Sequence, residues 1–367
     1  MQRPTNAPSV VAGHQTSRRS FLRAVGLLGV AATAGPVLAA CGRDGDTGGS
    51  AGGSELKLGL SIPFLTTPFF AVLDSYVKSE VKSQGVTMLN TTNANQDAGK
   101  QLTDVRSLVG SGATGVLAGV VDNKAIKPAL DYCDQQKVPF VILDDAPAAG
   151  NVLIVVRADN YAMGATAAKK LSELVKGKGQ VLSIQGDLAT TNGKDRSDGF
   201  REWIQKNAPG IQVIERPAKW QGPLSGSVTS TILTQYKDLA GIYMQSDTTY
   251  GSAVMASLKN AGRLAPVGDP KHMPLVAIDG GAEGLDAIRE GMLDALVSQP
   301  LDGYAKYGVQ YLKQATEGDM PKKGKTDHSS EVIDFTGNLM DLLPATLVTK
   351  ANVDDKSLWG NDPKAKA

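Results

Sequence analysis

The chain has 367 residues, 41% of them apolar and 20% charged, which suits a soluble globular protein of two or three domains. A net charge of +1 lacks the basic excess of a nucleic-acid binder, and two cysteines cannot support a disulfide scaffold. The totals mix two segments: residues 1–40 hold Arg3, Arg18, Arg19 and Arg23 and no acid, and without those four the chain has 34 basic against 37 acidic residues, a balance of about −3.

The chain opens with a charged stretch, Ser17-Arg18-Arg19-Ser20-Phe21-Leu22-Arg23, and an apolar run from Ala24 to Ala40. A basic region ahead of an apolar one is the order of a secretory signal. The run, about 17 residues and interrupted by Gly26, Gly29, Gly35 and Pro36, is a poor membrane span. The paired arginines resemble a twin-arginine export signal. Val37-Leu38-Ala39-Ala40-Cys41 resembles a bacterial lipobox, which implies a diacylglyceryl group on Cys41 and a mature chain beginning there. Two acyl chains anchor stably where one holds marginally. The Gly- and Ser-rich residues that follow, up to 54, read as a flexible tether. Cys133 falls in a helical pattern and reads as a small buried apolar side chain.

From Leu56 onward, short β-rich runs alternate with helical patterns. Leu56–Ile62 reads as a strand, and Phe69, Val72, Leu73, Tyr76, Val77 and Val81 then recur at helical spacing. Val86–Asn90 is a strand and Asp97–Val109 a helix, followed by the apolar runs Gly115–Val120, Val138–Leu143 and Val152–Val156. These runs are continuous rather than alternating, as in parallel strands covered on both faces. A second series starts near Asp159, with strands at Val181–Gln185, Ile211–Glu215, Gly241–Met244, Leu275–Ile278 and Ala295–Ser298. Helical stretches at 161–176, 194–207, 222–236, 248–261 and 282–290 separate them. Two such series predict an α/β protein with two doubly wound parallel sheets. The segment 350–367 is polar and reads as irregular.

Several motifs fail on context. Gly110-Ser111-Gly112-Ala113-Thr114-Gly115 fits the dinucleotide fingerprint, but a helix precedes it and a strand follows, the reverse of the order that puts a pyrophosphate on a helix N-terminus. His14, His272 and His328 are far apart, and no His/Cys cluster has metal-ligand spacing. Neither a Walker A motif nor a nucleophile elbow is present, and no convincing catalytic pair stands out. The reading is a binding protein rather than an enzyme, without cofactor, metal or nucleic-acid partner.

Polar residues gather at the C-terminal ends of the expected strands, where open α/β sheets bind ligands: Thr66-Thr67, Asp144-Asp145, Ser246-Asp247, Asp279 and Gln299. Phe69-Phe70 open the first helix and Trp220 sits in a loop. Aromatic faces beside planar acid and amide groups suit a sugar or polyol, whose C–H face packs on a ring while its hydroxyls take paired hydrogen bonds. Core rings and helix-capping acids fit the same pattern equally well.

On these residues the part from about Leu56 to Lys350 resembles the periplasmic sugar-binding proteins of ABC transporters, in the ribose-binding branch. Pro68-Phe69-Phe70 matches the family's pair of rings against the sugar, and Asp144 after Val141-Ile142-Leu143 matches the acid ending its fourth strand. Asp159-Asn160 with Met163-Gly164 matches the entry to the second lobe, and Arg196 a ligand-binding arginine. Trp220 stands for the covering ring, and Asp279 and Gln299 for the remaining acid and amide. Thr67, Gly119 and Ser246 stand where the ribose binders have asparagine, and Asp145 where they have arginine. The resemblance therefore implies another pentose, a hexose, an alditol or an inositol rather than ribose.

It further implies two lobes closing on a three-segment hinge near 157–159, 298–300 and 335–345. The expected organisation is a signal over 1–40, a tether over 41–54, a first lobe of 55–158 plus 300–335, a second of 159–299 plus 336–350, and a tail over 351–367. The implied protein is a monomer, lipid-anchored to the outer face of the bacterial cell membrane, whose partners are one small sugar or polyol and an ABC permease. A sensor subunit delivering the same ligand to a membrane receptor is the alternative.

Overall fold

The computed structural model describes residues 55–366; the expected signal, Arg18, Arg19, Cys41 and the tether lie outside them. The first series runs β1 (Lys57–Ile62), α1 (Pro68–Ser83), β2 (Thr87–Met88), β3 (Thr92–Asn93), α2 (Ala98–Gly110), β4 (Gly115–Gly119), α3 (Lys127–Gln135), β5 (Phe140–Leu143) and β6 (Ile154–Ala158). The second runs α4 (Asn160–Leu174), β7 (Gly179–Gln185), α5 (Thr191–Asn207), β8 (Ile211–Pro217), α6 (Gly222–Gln235), β9 (Leu239–Met244), α7 (Asp247–Asn260), β10 (Leu275–Asp279), α8 (Ala282–Arg289) and β11 (Ala295–Ser298). The chain then forms α9 (Leu301–Thr316), β12 (Gly324–Lys325), β13 (Glu331–Phe335), β14 (Asn338–Leu343) and β15 (Thr346–Val348).

The strands build two sheets. The first has the order β12-β13-β14-β6-β5-β4-β1-β2, with β3 also on β1, and the second the order β15-β11-β10-β9-β7-β8. Every residue of β4 and β5 is buried, because helices cover both faces. Leu117, Val141 and Val156 pack with α1 and α9, while Val116, Ile142 and Val155 pack with α2 and α3. In the second sheet Val181, Tyr243 and Val276 pack with α4 and α5, and Leu182, Ile242 and Leu275 with α6, α7 and α8. This is the predicted pair of doubly wound sheets.

The chain crosses between sheets at Ala158–Asn160, Ser298–Leu301 and Leu343–Thr346. The last crossing is narrower than the expected 335–345, and residues 338–343 do not join the second lobe. Thr336 and Gly337, at φ 52° and 87°, form a two-residue turn that folds β14 back on β13. β14 then pairs in parallel with β6, from Met340↔Val155 to Leu343↔Ala158, so it completes the first sheet. Of the expected 336–350 segment, β15 is the strand that joins the second sheet, antiparallel to β11. The polar tail also departs from expectation: Val353, Leu358, Trp359 and Ala365 are buried.

Candidate functional site

The C-terminal ends of the two sheets face each other: Asp144 at the end of β5 feels the charges of Arg196 and Asp279, and Arg157 of β6 reaches Asp195 of α5. On the second-lobe side, β10 ends at Asp279, held at φ 112°, a backbone region that a non-glycine residue occupies only under constraint. Its carboxylate is the acceptor for a ring of donors. Oδ1 accepts from Arg196 Nη1 at 3.1 Å and Gln299 Nε2 at 2.7 Å; Oδ2 accepts from Ser246 Oγ at 2.6 Å and Thr248 Oγ1 at 3.1 Å. Four of the expected residues, Arg196, Ser246, Asp279 and Gln299, thus form one hydrogen-bonded cluster.

Each member is fixed from behind. Ser246 caps α7 by accepting the Thr249 N–H. Arg196, buried on α5, donates Nε to Asn160 Oδ1 and Nη1 to the Gln245 carbonyl, both at 2.6 Å. Gln299 Oε1 accepts from the Tyr304 hydroxyl at 2.7 Å. Buried Asp247 accepts the Gly280 and Gly281 N–H groups at 2.8 and 3.0 Å and so holds the loop after Asp279. Burial, then the charge of Asp279, pushes the Asp247 carboxyl well above its ordinary range.

Trp220 closes this side. Lys219 and Trp220 both have positive φ, which turns the ring inward over Tyr250, with centroids 6.2 Å apart and planes 13° from parallel. The Arg196 guanidinium lies 5.6 Å from the Trp220 ring centroid. A Cβ at Gly186 would come within 2.1 Å of that ring, so the glycine is what admits it.

On the first-lobe side, Phe69 and Phe70 open α1 and meet edge to face, 5.0 Å between centroids. A Cβ at Gly119 would stand 3.0 Å from the Phe70 ring. Thr67 precedes α1 without capping it; its hydroxyl is buried and has no partner. Asp144, at φ 75°, follows β5, and its Oδ1 is likewise buried without a partner. Burial and the neighbouring Asp145 charge raise the Asp144 carboxyl to about 7, against the opposing pull of Arg196. Asp145 is turned inward, and its Oδ1 accepts the Ala146 N–H at 2.9 Å.

Besides Thr248, which bonds Asp279, Arg157 escaped the sequence reading. Arg157, the penultimate residue of β6, is buried and donates across the lobes to Asp195 Oδ2 at 2.9 Å and Asn192 Oδ1 at 2.8 Å on α5. Its Nε has no partner. A cation closing the apolar run Ile154-Val155-Val156 was the available signal.

Gly110, Ser111 and Gly112 form the C-terminal turn of α2, with Gly112 at φ 89°, and Gly115 begins β4, the helix-then-strand order that the sequence predicts. Cys133 is buried, and burial pushes its thiol up to about 12. Among the described residues, no group of three or more His, Cys, Asp and Glu is placed to hold a metal ion, and no helix is long and apolar enough to cross a membrane. A groove of about 550 Å³ between α4 and the β12–β14 edge, lined among others by Asp159, Thr166, Lys325 and Ser330, contains none of the cleft residues.

The periplasmic binding protein domain family matches residues 58–320. A ribose import binding protein of Salmonella typhimurium is 24% identical over 262 residues, 71% of this chain and 85% of the relative. A xylitol-binding protein of Mycolicibacterium smegmatis is 23% identical over 269 residues, 73% of each chain. Among solved structures, a Bacillus halodurans ABC transporter solute-binding protein with bound myo-inositol superposes with a TM-score of 0.70 at 17% identity, covering 84% of this chain and all of the other.

Proposed function

Because the chain belongs to the periplasmic binding protein domain family, within its sugar- and polyol-binding ABC transporter branch, we propose that it is the extracytoplasmic solute-binding lipoprotein of an ABC importer. It takes one sugar or polyol between its lobes. The observation that carries the reading is the pairing of unlike walls. Phe69, Phe70 and the unpartnered polar atoms of Thr67 and Asp144 stand on one lobe, and the Arg196–Ser246–Asp279–Gln299 cluster with Trp220 on the other. The rings take C–H faces. A carboxyl that titrates near neutral pH both donates to and accepts from a hydroxyl. Asp145 adds an acceptor to the same wall.

Contacts from both lobes exist only when the lobes are together, so a ligand that makes them shifts the population toward the closed form. That form is the one offered to the permease. The ribose and xylitol of the relatives and the myo-inositol of the solved structure support a small polyhydroxylated ligand, and loss of asparagine at Thr67, Gly119 and Ser246 favours another pentose, a hexose, an alditol or an inositol over ribose. A thermal-shift screen of those four classes tests it: one member raises the melting temperature in proportion to the logarithm of its concentration. No shift across the panel overturns the reading.

Export through Arg18-Arg19 and lipid attachment at Cys41 belong to the same proposal. Cys41→Ser should release the protein from the membrane fraction, because the acyl chains are its only membrane attachment in this reading.

A further inference from the structure

Beyond β15 the chain does not trail off. Arg289, at the end of α8, gathers the segment: Nε donates to Asp354 Oδ1 at 2.8 Å, and Nη2 to Asn361 Oδ1 at 2.6 Å and the Val353 carbonyl at 3.1 Å. Lys350 Nζ donates to the Arg289 carbonyl. Val353 and Leu358 sink into the second-lobe core. A 3-10 turn at Trp359–Asn361 follows, and a second, Pro363–Lys366, packs on α1 of the first lobe, with Ala365 buried. Tyr76 of α1 meets this end: burial, then the charge of and hydrogen bond to Asp362, holds its phenol above the ordinary range.

Between the two anchorages sits Trp359, 2% exposed. Its Nε1–H donates to the Asp279 carbonyl at 2.8 Å, and its ring meets Phe69 edge-on with centroids 6.1 Å apart. Gly360 lies so close behind that a Cβ there would stand 2.4 Å from the Gly280 carbonyl oxygen. One side chain therefore touches a cleft residue of each lobe.

We propose that residues 349–366 are a fourth connection between the lobes and that Trp359 is a positioning residue, setting Phe69 of one wall against Asp279 of the other. The strap differs from the three hinge crossings because its hold on the first lobe is non-covalent. It therefore sets the resting separation of the lobes and resists their opening. The proposal rests on the binding-site reading only in treating Phe69 and Asp279 as facing walls.

Pulsed electron spin resonance on the sugar-free full chain tests it, with spin labels at Gln136→Cys and Lys206→Cys, on opposite lobes, in a Cys41→Ser background. Cys133 is buried. Trp359→Ala should move the inter-label distance distribution to longer, broader values, and Trp359→Phe, which keeps the edge contact, should recover most of the original. Tyr76→Phe, which removes one hydroxyl at the first-lobe anchorage, should shift the distribution in the same direction. Unchanged distributions in both Trp359→Ala and Tyr76→Phe, with cooperative melting retained, overturn the proposal and leave Trp359 as packing. If Trp359→Ala does not fold, Tyr76→Phe decides alone. No sugar is present in the measurement, so a chain that binds none of the screened compounds would still give the answer.

Discussion

Arg157 of the first lobe and Asp195 of the second form an ion pair at 2.9 Å, with the arginine side chain 1% and the aspartate 29% exposed. The same guanidinium reaches Asn192. Removing the guanidinium takes the Arg157 donor from Asp195, while Asn192 Oδ1 keeps the Asn160 Nδ2–H at 3.1 Å; removing Asp195 instead leaves the desolvated arginine without its charged acceptor. Because Asp195 keeps contact with water, the expected loss is about 1–3 kcal/mol, less than a fully buried pair would cost. Urea denaturation of Arg157→Ala, Asp195→Ala and the double variant measures it. A coupling energy near zero would show that the pair contributes nothing.

Trp220 lies flat over Tyr250 only because Gly186 has no side chain. Gly186→Ala should therefore weaken binding of the sugar found by thermal shift, although the methyl group belongs to a residue behind the ring. Calorimetry should give at least a tenfold rise in Kd, about 1.4 kcal/mol, for Gly186→Ala as for Trp220→Ala. Asp279→Ala should weaken it further, because it also strips Arg196 and Gln299 of their shared acceptor. Wild-type affinity in Trp220→Ala and Asp279→Ala would remove these residues from the site.

Much of this was legible beforehand, for reasons that separate local from distant information. Continuous apolar runs such as Phe140–Leu143 are buried on both faces, so they announce parallel strands directly. The strand-end positions of Asp144, Ser246 and Asp279 were readable because position along a strand is a local property. Arg157 and Trp359 were missed because their roles depend on partners far along the chain: Asp195 lies 38 positions from Arg157, and Asp279 lies 80 from Trp359. The β13–β14 hairpin was missed because its apolar residues come in adjacent pairs, Val332-Ile333, Leu339-Met340 and Leu342-Leu343, rather than in the alternation that marks a hairpin strand.

Asp144 also predicts a pH dependence. Its carboxyl titrates at about 7 in the folded chain against an ordinary 3.8, and Asp247 is displaced in the same direction. Between these values folded Asp144 holds a proton that the unfolded chain has released, so its contribution to stability falls as pH rises from about 4 and levels off above about 7. For Asp144 the total is at most roughly 4 kcal/mol. Asp144→Asn should flatten the melting-temperature profile across that window while leaving the acid end unchanged. An identical slope in the variant would place the proton elsewhere.

Gly164 of α4 tests how the second-lobe cluster is held in place. A Cβ at this position would meet the Arg196 carbonyl oxygen at 2.4 Å and the Phe200 nitrogen at 3.0 Å, both backbone atoms that cannot turn aside. Gly164→Ala must push α5 away from α4, at a cost of about 1–3 kcal/mol for overpacking. Arg196 rides on that helix, so the same displacement draws its guanidinium off Asp279. Affinity should therefore fall together with stability. Gly251→Ala on α7 is the control, because nothing lies within 4 Å of its added methyl group. There the helix should gain about 0.5–1 kcal/mol from the lost glycine flexibility, with binding unchanged. If Gly164→Ala and Gly251→Ala gave the same melting temperature and the same Kd, close approach of α4 and α5 would not be what positions Arg196.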